Sequence, residues 1–473
     1  MSRSAGSTGR AAPTVAILGH VGKHNMGDEA IVEALIAGLR RDVEPVNIIA
    51  FTMNPADTIE RHGVVTYPIR PNAGPLEPEA PPEPADVSPA VKWRRRLRRI
   101  GPIRWLVKGA RAVAQAITAV IVECRFDIAS YSCLKGADLV IVAGSAQVAD
   151  FFGGPVGYPW ALLRWTVLGR LAGARVAFMS TGCGPVNYRL SRWFLGRALR
   201  LSEYRSFRDP SSLQLARVIG SPEPSRLVRD LAFSLPGLRI AEAPPRRVRP
   251  LVGVNALPYC SGSYWYVVDE ARHQHYLQVH ADAIVQMVER GFDVAVFSTQ
   301  TSDPKISRQI AERVGRLSPA ALAHVRVEPF VPTVTHLLAI IRSCDVVVAT
   351  RYHGLLLSIA QGVPVIGVSY HPKTRDLLDA VGLRDFCVEV DAIEPGRLAA
   401  MVERAWASNP ELRRRIVHCL PALTAEVNAQ YADIVALLTF VVESRGRAAT
   451  AGGSALEWQL PHPRRRTHKS RAS

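Results

Sequence analysis

A chain of 473 residues is too long for one hydrophobic core, so its length predicts two domains. A hydrophobic content of 48% and a mean hydropathy of +0.07 exclude a wholly disordered protein. The net charge of +17 attracts acidic partners, and the excess sits largely in residues 92–99 (KWRRRLRR) and 463–473 (PRRRTHKSRAS). No nucleic-acid-binding motif accompanies those runs, so phosphorylated small molecules and anionic lipid are favoured over nucleic acid.

Residues 1–13 are small and polar, without the apolar run of a secretory signal, and read as a disordered N-terminus. The first strand is predicted at 14–18 (TVAIL). A glycine-bearing loop follows at 19–27, then a helix at 28–40 opening on Asp28 and Glu29, then a strand at 46–51. The proline-dense stretch 68–90 reads as an exposed insertion, and 92–125 as a basic amphipathic segment carrying Trp93 and Trp105. Strands at 138–143, 175–179 and 204–207 alternate with helices at 160–171, 192–200 and 211–219. Such alternation implies a parallel, doubly wound sheet in a domain spanning 14–240.

Residues 241–250 (AEAPPRRVRP) form the linker. The alternation restarts with strands at 251–255, 293–298 and 325–327 and helices at 276–290, 304–317 and 334–343. Apolar strands at 346–349 and 363–368 flank a helix. Helical patterns at 395–406 and 412–440 close a second domain, 251–441, before a basic disordered tail, 442–473. No run of about 18 apolar residues is present, so no membrane-spanning helix is expected. The seven cysteines include no C-x-x-C pair, which points to reduced thiols in a cytoplasmic protein.

The expected fold is α/β: two Rossmann-like doubly wound domains facing across a cleft, a GT-B-like layout. In open α/β sheets ligands sit at the carboxyl ends of strands. Arg351 and His353 follow the strand at 346–349, with Tyr352 between them, and Lys373 follows the next strand. Two cations and an imidazole at adjacent strand ends suit a small, multiply charged anion. His353 is the strongest single candidate. Arg208, before Asp209 in FRDPSS, is either an anion clamp or half of an internal ion pair. The turn STGCGP at 180–185, with Gly184, either offers backbone N–H groups to an anion or makes a tight connection. The first loop is neither a P-loop nor G-x-G-x-x-G. Its Gly27 permits close backbone approach, but an ordinary helix start explains it equally well. His273, His275 and His280 match no metal-site spacing, so no metal is expected.

Taken in order, these motifs resemble the polysaccharide pyruvyl transferases. NMGDEA at 25–30, GCGP at 182–185, FRDPSS at 207–212, RYHG at 351–354, GVPVI at 362–366 and YHPK at 370–373 carry the resemblance, which covers about residues 14–390. The family's glycine run after the strand at 138–143 is replaced here by AGSAQVAD. The resemblance implies transfer of a pyruvyl group from phosphoenolpyruvate, as co-substrate, to a sugar of a cell-surface glycan or lipid-linked precursor, forming a ketal without a cofactor. It assigns Arg351 and His353 to the donor site, with Arg208 as a second clamp. His353 would serve as general acid or steady the leaving phosphate, and Asp28, Glu29 or Asp209 would serve as base. Two rival readings are a GT-B-type glycosyltransferase using a nucleotide-sugar donor and a non-catalytic protein that binds anionic membranes through its basic segment. In the enzyme reading that segment would dock the chain peripherally on a membrane. Oligomeric state leaves no trace in the sequence.

Overall fold

A computed structural model describes residues 12–71, 101–151, 153–240, 247–262, 265 and 267–451. Most of the proline-dense insertion, the basic block 92–99, the first part of the linker and the tail beyond 451 lie outside the described residues.

Both domains are single all-parallel sheets. In the first, β1 (Thr14–Leu18), β2 (Asn47–Thr52), β3 (Val65–Pro68), β4 (Leu139–Ala143), β5 (Arg175–Thr181), β6 (Tyr204–Phe207) and β7 (Arg226–Leu227) lie in the order β3-β2-β1-β4-β5-β6-β7. In the second, β8 (Leu251–Asn255), β9 (Asp293–Val296), β10 (Val325–Val327), β11 (Val346–Ala349), β12 (Val365–Ser369) and β13 (Cys387–Glu389) lie in the order β10-β9-β8-β11-β12-β13. The order reverses between β1 and β4 and between β8 and β11. These are the topological switch points where doubly wound sheets open a crevice for ligand. The two halves use the same device there. Asp138 and Asp345, each just before its strand, accept hydrogen bonds from the backbone N–H of Thr14 (2.8 Å) and Leu251 (2.7 Å), fixing the register of the neighbouring strand.

The first domain's helices are α1 (Met26–Asp42), α2 (Pro55–His62), α3 (Gly101–Leu134), α4 (Tyr158–Leu171), α5 (Arg189–Leu201) and α6 (Pro210–Val218). The second domain's are α7 (Glu270–Glu289), α8 (Asp303–Leu317), α9 (Pro319–Leu322), α10 (Val334–Ser343), α11 (Tyr352–Ala360), α12 (Pro372–Ala380) and α13 (Pro395–Ala407), followed by α14 (Asn409–Ala451). The central strands fall within two residues of their predicted bounds, because a strand buried on both faces is a continuous apolar run. The elements missed lie toward the edges, although the edge strand β10 fell on its predicted bounds. β7 has two residues and β13 three, while β3 and α2 bury little. The segment read only as basic and amphipathic is, from Gly101, a 34-residue helix.

Helix α14, grouped by sequence with the second domain, returns to the first. Its buried residues Ile416, Leu420, Leu423, Val427, Tyr431, Ile434 and Leu438 recur every three or four positions, one stripe of the helix on either side of Pro421. The Tyr431 hydroxyl donates to Ala34 O (3.1 Å), and Gln430 bridges Ser180 Oγ and Ser206 Oγ, each at 2.9 Å. Asn409–Val442 is also the one stretch among the described residues long and apolar enough to cross a membrane, contrary to the sequence expectation of none. Here its apolar stripe is spent on protein.

Gly38 is where α14 fits closest, since a Cβ there would lie 2.3 Å from Tyr431 Cζ. Gly→Ala inside an ordinary helix stabilises by about 1 kcal/mol. At position 38 the sign should reverse, with Gly38→Ala lowering stability in urea by about 1–3 kcal/mol, the cost of overpacking. A stabilised variant would show that α14 does not clasp α1.

Candidate active site

The carboxyl edges of the two sheets face each other and enclose a cavity of about 560 Å³. Across it the domains touch directly. Met26 N, at the start of α1, donates to Thr299 O of the second domain (2.9 Å). Tight backbone is concentrated in the loops around this cleft: His24, Ser145, Ser180 and Cys260 all hold positive φ without being glycine. Ser145 (φ 54) stands within the altered glycine run, so the left-handed turn persists with a hydroxyl added, and Ser145 and Ala146 both line the cavity.

Arg208, Arg351, Tyr352, His353, Lys373, Asp28 and Gly184 all line this one space. Arg208 leaves the end of β6 with a side chain only 2% exposed. Its principal acid is Asp230, beyond β7, at 2.9 Å, with Asp209 further off at 3.6 Å. The same Asp230 oxygen faces His353 Nε2 of the second domain at 3.8 Å, so one carboxylate is shared across the cleft. Burial pushes the Asp230 carboxyl up, but His353 and Arg208 outweigh it and hold it at about 2. The imidazole occupies room that only glycine leaves, since a Cβ on Gly27 would lie 1.9 Å from His353 Nδ1. Gly182 likewise makes room for the Arg208 guanidinium, which lies 4.5 Å over the Tyr352 ring. His353 Nε2 and Arg208 Nε are buried without a hydrogen-bond partner. Each nonetheless faces an acid within ion-pair range, Asp209 at 3.6 Å from Arg208 Nε and Asp230 at 3.8 Å from His353 Nε2.

Arg351, at the end of β11, is steered by α8: its Nε donates to Asp303 Oδ1 (3.2 Å) and its Nη2 to Ser302 Oγ (3.0 Å). Asp303 is in turn held by the backbone N–H groups of Thr299 (3.1 Å) and Gln300 (3.2 Å). Lys373 Nζ sits over the rings of Tyr352 (5.3 Å) and Tyr370 (5.5 Å), and Trp265 meets Tyr370 edge-on (5.2 Å). Burial and Lys373 depress His371 to about 4, so it is a neutral neighbour of these cations at neutral pH.

On the first domain's side, Asp28 accepts from Asn25 Nδ2 (2.9 Å) and lies 3.6 Å from His20 Nδ1. Burial raises its pKa, but His20 and then His353 bring the net shift below the ordinary carboxylate range. The other two candidate bases are elsewhere. Glu29 accepts from Gly22 N (2.9 Å) and meets His62 Nε2 (3.0 Å), bracing the loop against α2 and staying out of the cavity. Asp209 caps α6, accepting from Ser212 N and Ser211 Oγ, both at 2.7 Å, and it too does not line the cavity. The 180–185 turn is a tight connection: Gly182 N, Cys183 N and Gly184 N are already bonded to Ser145 O, Ser212 Oγ and Val148 O. Gly184 reaches the cavity by its closeness to Phe151 and offers it no free N–H. His20, Lys23, Arg70, Tyr158, Trp265 and His371 also line the cavity and were not singled out from sequence. His20 and Lys23 lie within the loop 19–27 already flagged and His371 within the YHPK motif, while Arg70, Tyr158 and Trp265 carry no local signal. His273 and His280 each bond a backbone carbonyl (Tyr259 O and Tyr276 O, 2.9 Å each).

Two doubly wound parallel sheets with facing carboxyl edges and a cavity between them define a two-domain protein of GT-B-like fold. A glycosyltransferase from Rickettsia africae ESF-5 superposes with a TM-score of 0.50 at 10% identity, over 92% of this chain and 97% of that one. The glycosyltransferase SnogD from Streptomyces nogalater gives 0.48 at 15% identity, over 90% and 100%. At such identities the likeness concerns fold alone. The sequence profile of the polysaccharide pyruvyl transferase family matches residues 25–372, and the chain belongs to that family. It is also similar to the amylovoran biosynthesis protein AmsJ of Erwinia amylovora, 22% identical over 166 residues, a match spanning 34% of this chain and 40% of that relative's length.

Because the folded-state pKa of Asp230 lies below the usual carboxylate value, its contribution to stability is present above about pH 4 and is lost as pH falls toward about 2. That contribution is about 2 kcal/mol, from the depression of its pKa. Asp230→Asn should cost about 3–5 kcal/mol at neutral pH, since it leaves Arg208 buried without its partner, and should flatten the acid limb of the stability curve. An unchanged urea midpoint at both pH values would remove Asp230 from this role.

Proposed function

We propose that this chain transfers the pyruvyl group of phosphoenolpyruvate to two hydroxyls of one sugar in a cell-surface glycan or its precursor, forming a cyclic ketal and releasing inorganic phosphate. Family membership supports this reading. The observation that carries it is the convergence of Arg208, Arg351, Lys373 and His353 on one cavity. Phosphoenolpyruvate presents a phosphate and a carboxylate on three carbons, and guanidinium forks match both. The free cysteines suit a reducing compartment, where phosphoenolpyruvate is made, so we place the reaction in the cytoplasm.

In the proposed sequence, His353 donates a proton to the methylene carbon, and positive charge develops at the adjacent carbon. A sugar hydroxyl attacks that carbon and gives up its proton to Asp28, the one of three candidate bases that lines the cavity. The carbon–oxygen bond to phosphate then breaks, with Arg208, Arg351 and Lys373 stabilising the charge that gathers on the leaving group. The second hydroxyl closes the ketal. Of the two hydroxyl protons, one is accounted for by the new methyl group and the other by the released phosphate.

His353→Ala and Asp28→Asn should each slow phosphate release from phosphoenolpyruvate, in the presence of glycan extract from the host, by about 10²–10⁴-fold while the protein stays folded. Gly27→Ala should lose as much as His353→Ala, because its methyl group would take the place of the imidazole. Full turnover in any of these variants rules out the role assigned to that residue. In a thermal-shift panel, phosphoenolpyruvate should raise the melting temperature. Stabilisation by a nucleotide sugar alone would favour the glycosyltransferase reading instead.

A further inference from the structure

Helix α3 divides into two unlike parts. Residues 123–134 are fastened to the first domain: Arg164 of α4 pairs with Glu123 and lies 3.6 Å from Asp127, Phe126 meets Trp165 edge-on at 6.0 Å, and Leu134 is fully buried. Above that anchorage, every described side chain from 113 to 125 is exposed. The sequence there is apolar nearly all round (AVAQAITAVIV at 112–122), and Val113, Ile117, Val120, Ile121 and Ile128 are each more than half exposed. Their spacing of i, i+4, i+7, i+8 and i+15 puts them on one stripe. A helix so nearly apolar all round belongs in a protein core or in lipid, and none of the described elements covers this one.

Its direction follows from topology. As the crossover between parallel strands β3 and β4, α3 runs from the carboxyl edge of the sheet to the amino edge, and so does α4 after β4. Because the two helices run parallel with the same rise, the contacts of residues 123–127 with Arg164 and Trp165 set residue 117 at about the height of Tyr158, which lines the cavity. The helix therefore continues about 16 residues, or ~24 Å, past the cavity's edge of the domain. Charge identifies what it meets there. Between residues 92 and 122 the sequence holds nine Lys and Arg and no Asp or Glu. Two copies paired along such helices would bring like charges together, whereas an anionic bilayer surface attracts them at about 1 kcal/mol per basic residue near the surface.

We propose that the exposed stripe of α3 inserts into the interface of an anionic membrane, turning the cavity-bearing edge of the first domain toward the lipid surface. The assignment stands independently of the reaction proposed above. It also fits an acceptor presented on a lipid carrier.

The test is flotation of the full chain with vesicles of phosphatidylglycerol and phosphatidylcholine, and with phosphatidylcholine vesicles alone. The chain should float with the anionic vesicles and bind them at least tenfold more tightly than the neutral ones. Replacing Val113, Ile117, Val120 and Ile121 together by Glu should reduce flotation at least tenfold, leaving the melting temperature and phosphoenolpyruvate-induced stabilisation unchanged. Three results overturn the proposal: no flotation of the unaltered chain, equal flotation of the fourfold variant, or a lipid-independent dimer that the fourfold variant converts to monomer. The last would assign the stripe to a second copy of the chain. Because flotation needs no turnover, its failure is distinguishable from a failure of the proposed reaction.

Discussion

A single buried carboxylate, Asp230, stands between Arg208 of the first domain and His353 of the second, and the cleft is organised around it. Its side chain has no exposure, and Arg208 is nearly as buried. Charges so far from water persist only when paired, and the shared arrangement satisfies part of each partner while leaving Arg208 Nε and His353 Nε2 without acceptors. The domains are thereby held in register by an interaction that is also incomplete. Asp230 itself does not line the cavity, whereas Arg208 and His353 do.

The same logic recurs around Arg351. Asp303 fixes the guanidinium, and backbone N–H groups fix Asp303. Arg208 and Arg351 are each held by an acid that does not line the cavity, while Lys373 lies over two tyrosine rings. On the other domain's side Asp28 remains ionised beside His20, so a carboxylate and these cations share one small space.

The long last helix makes the relative placement of the domains rigid enough for such sharing. Its stripe from Ile416 to Leu438 packs on the first domain, and Gln430 locks the irregular end of β5 through Ser180 and Ser206. Across the cleft the domains also meet through Met26 N to Thr299 O, Arg61 to Pro332 O, the Arg208 guanidinium over the Tyr352 ring, and Asp230 to His353.

The central strands, the doubly wound alternation and the strand-end positions of Arg208, Arg351, His353 and Lys373 were legible in the sequence. Apolar runs and their ends are local properties, and a strand end is where a parallel sheet exposes its ligands. Among the edge elements β7 and β13 were not legible, because two or three residues are too few to establish a period, whereas the three residues of β10 alternate Val-Arg-Val. Nor could sequence separate Asp28 from Glu29 and Asp209: all three are acids beside a helix start, and only packing sends Glu29 to His62, sets Asp209 as a cap and leaves Asp28 on the cavity wall. Asp230 drew no attention, because its partners lie 22 residues away on one side and 123 on the other (353 − 230). The sequence by itself determined which side chains stand at strand ends. Tertiary structure alone decided which of them share a space and which acid neutralises which base, because burial and pairing are properties of neighbours brought together from distant parts of the chain.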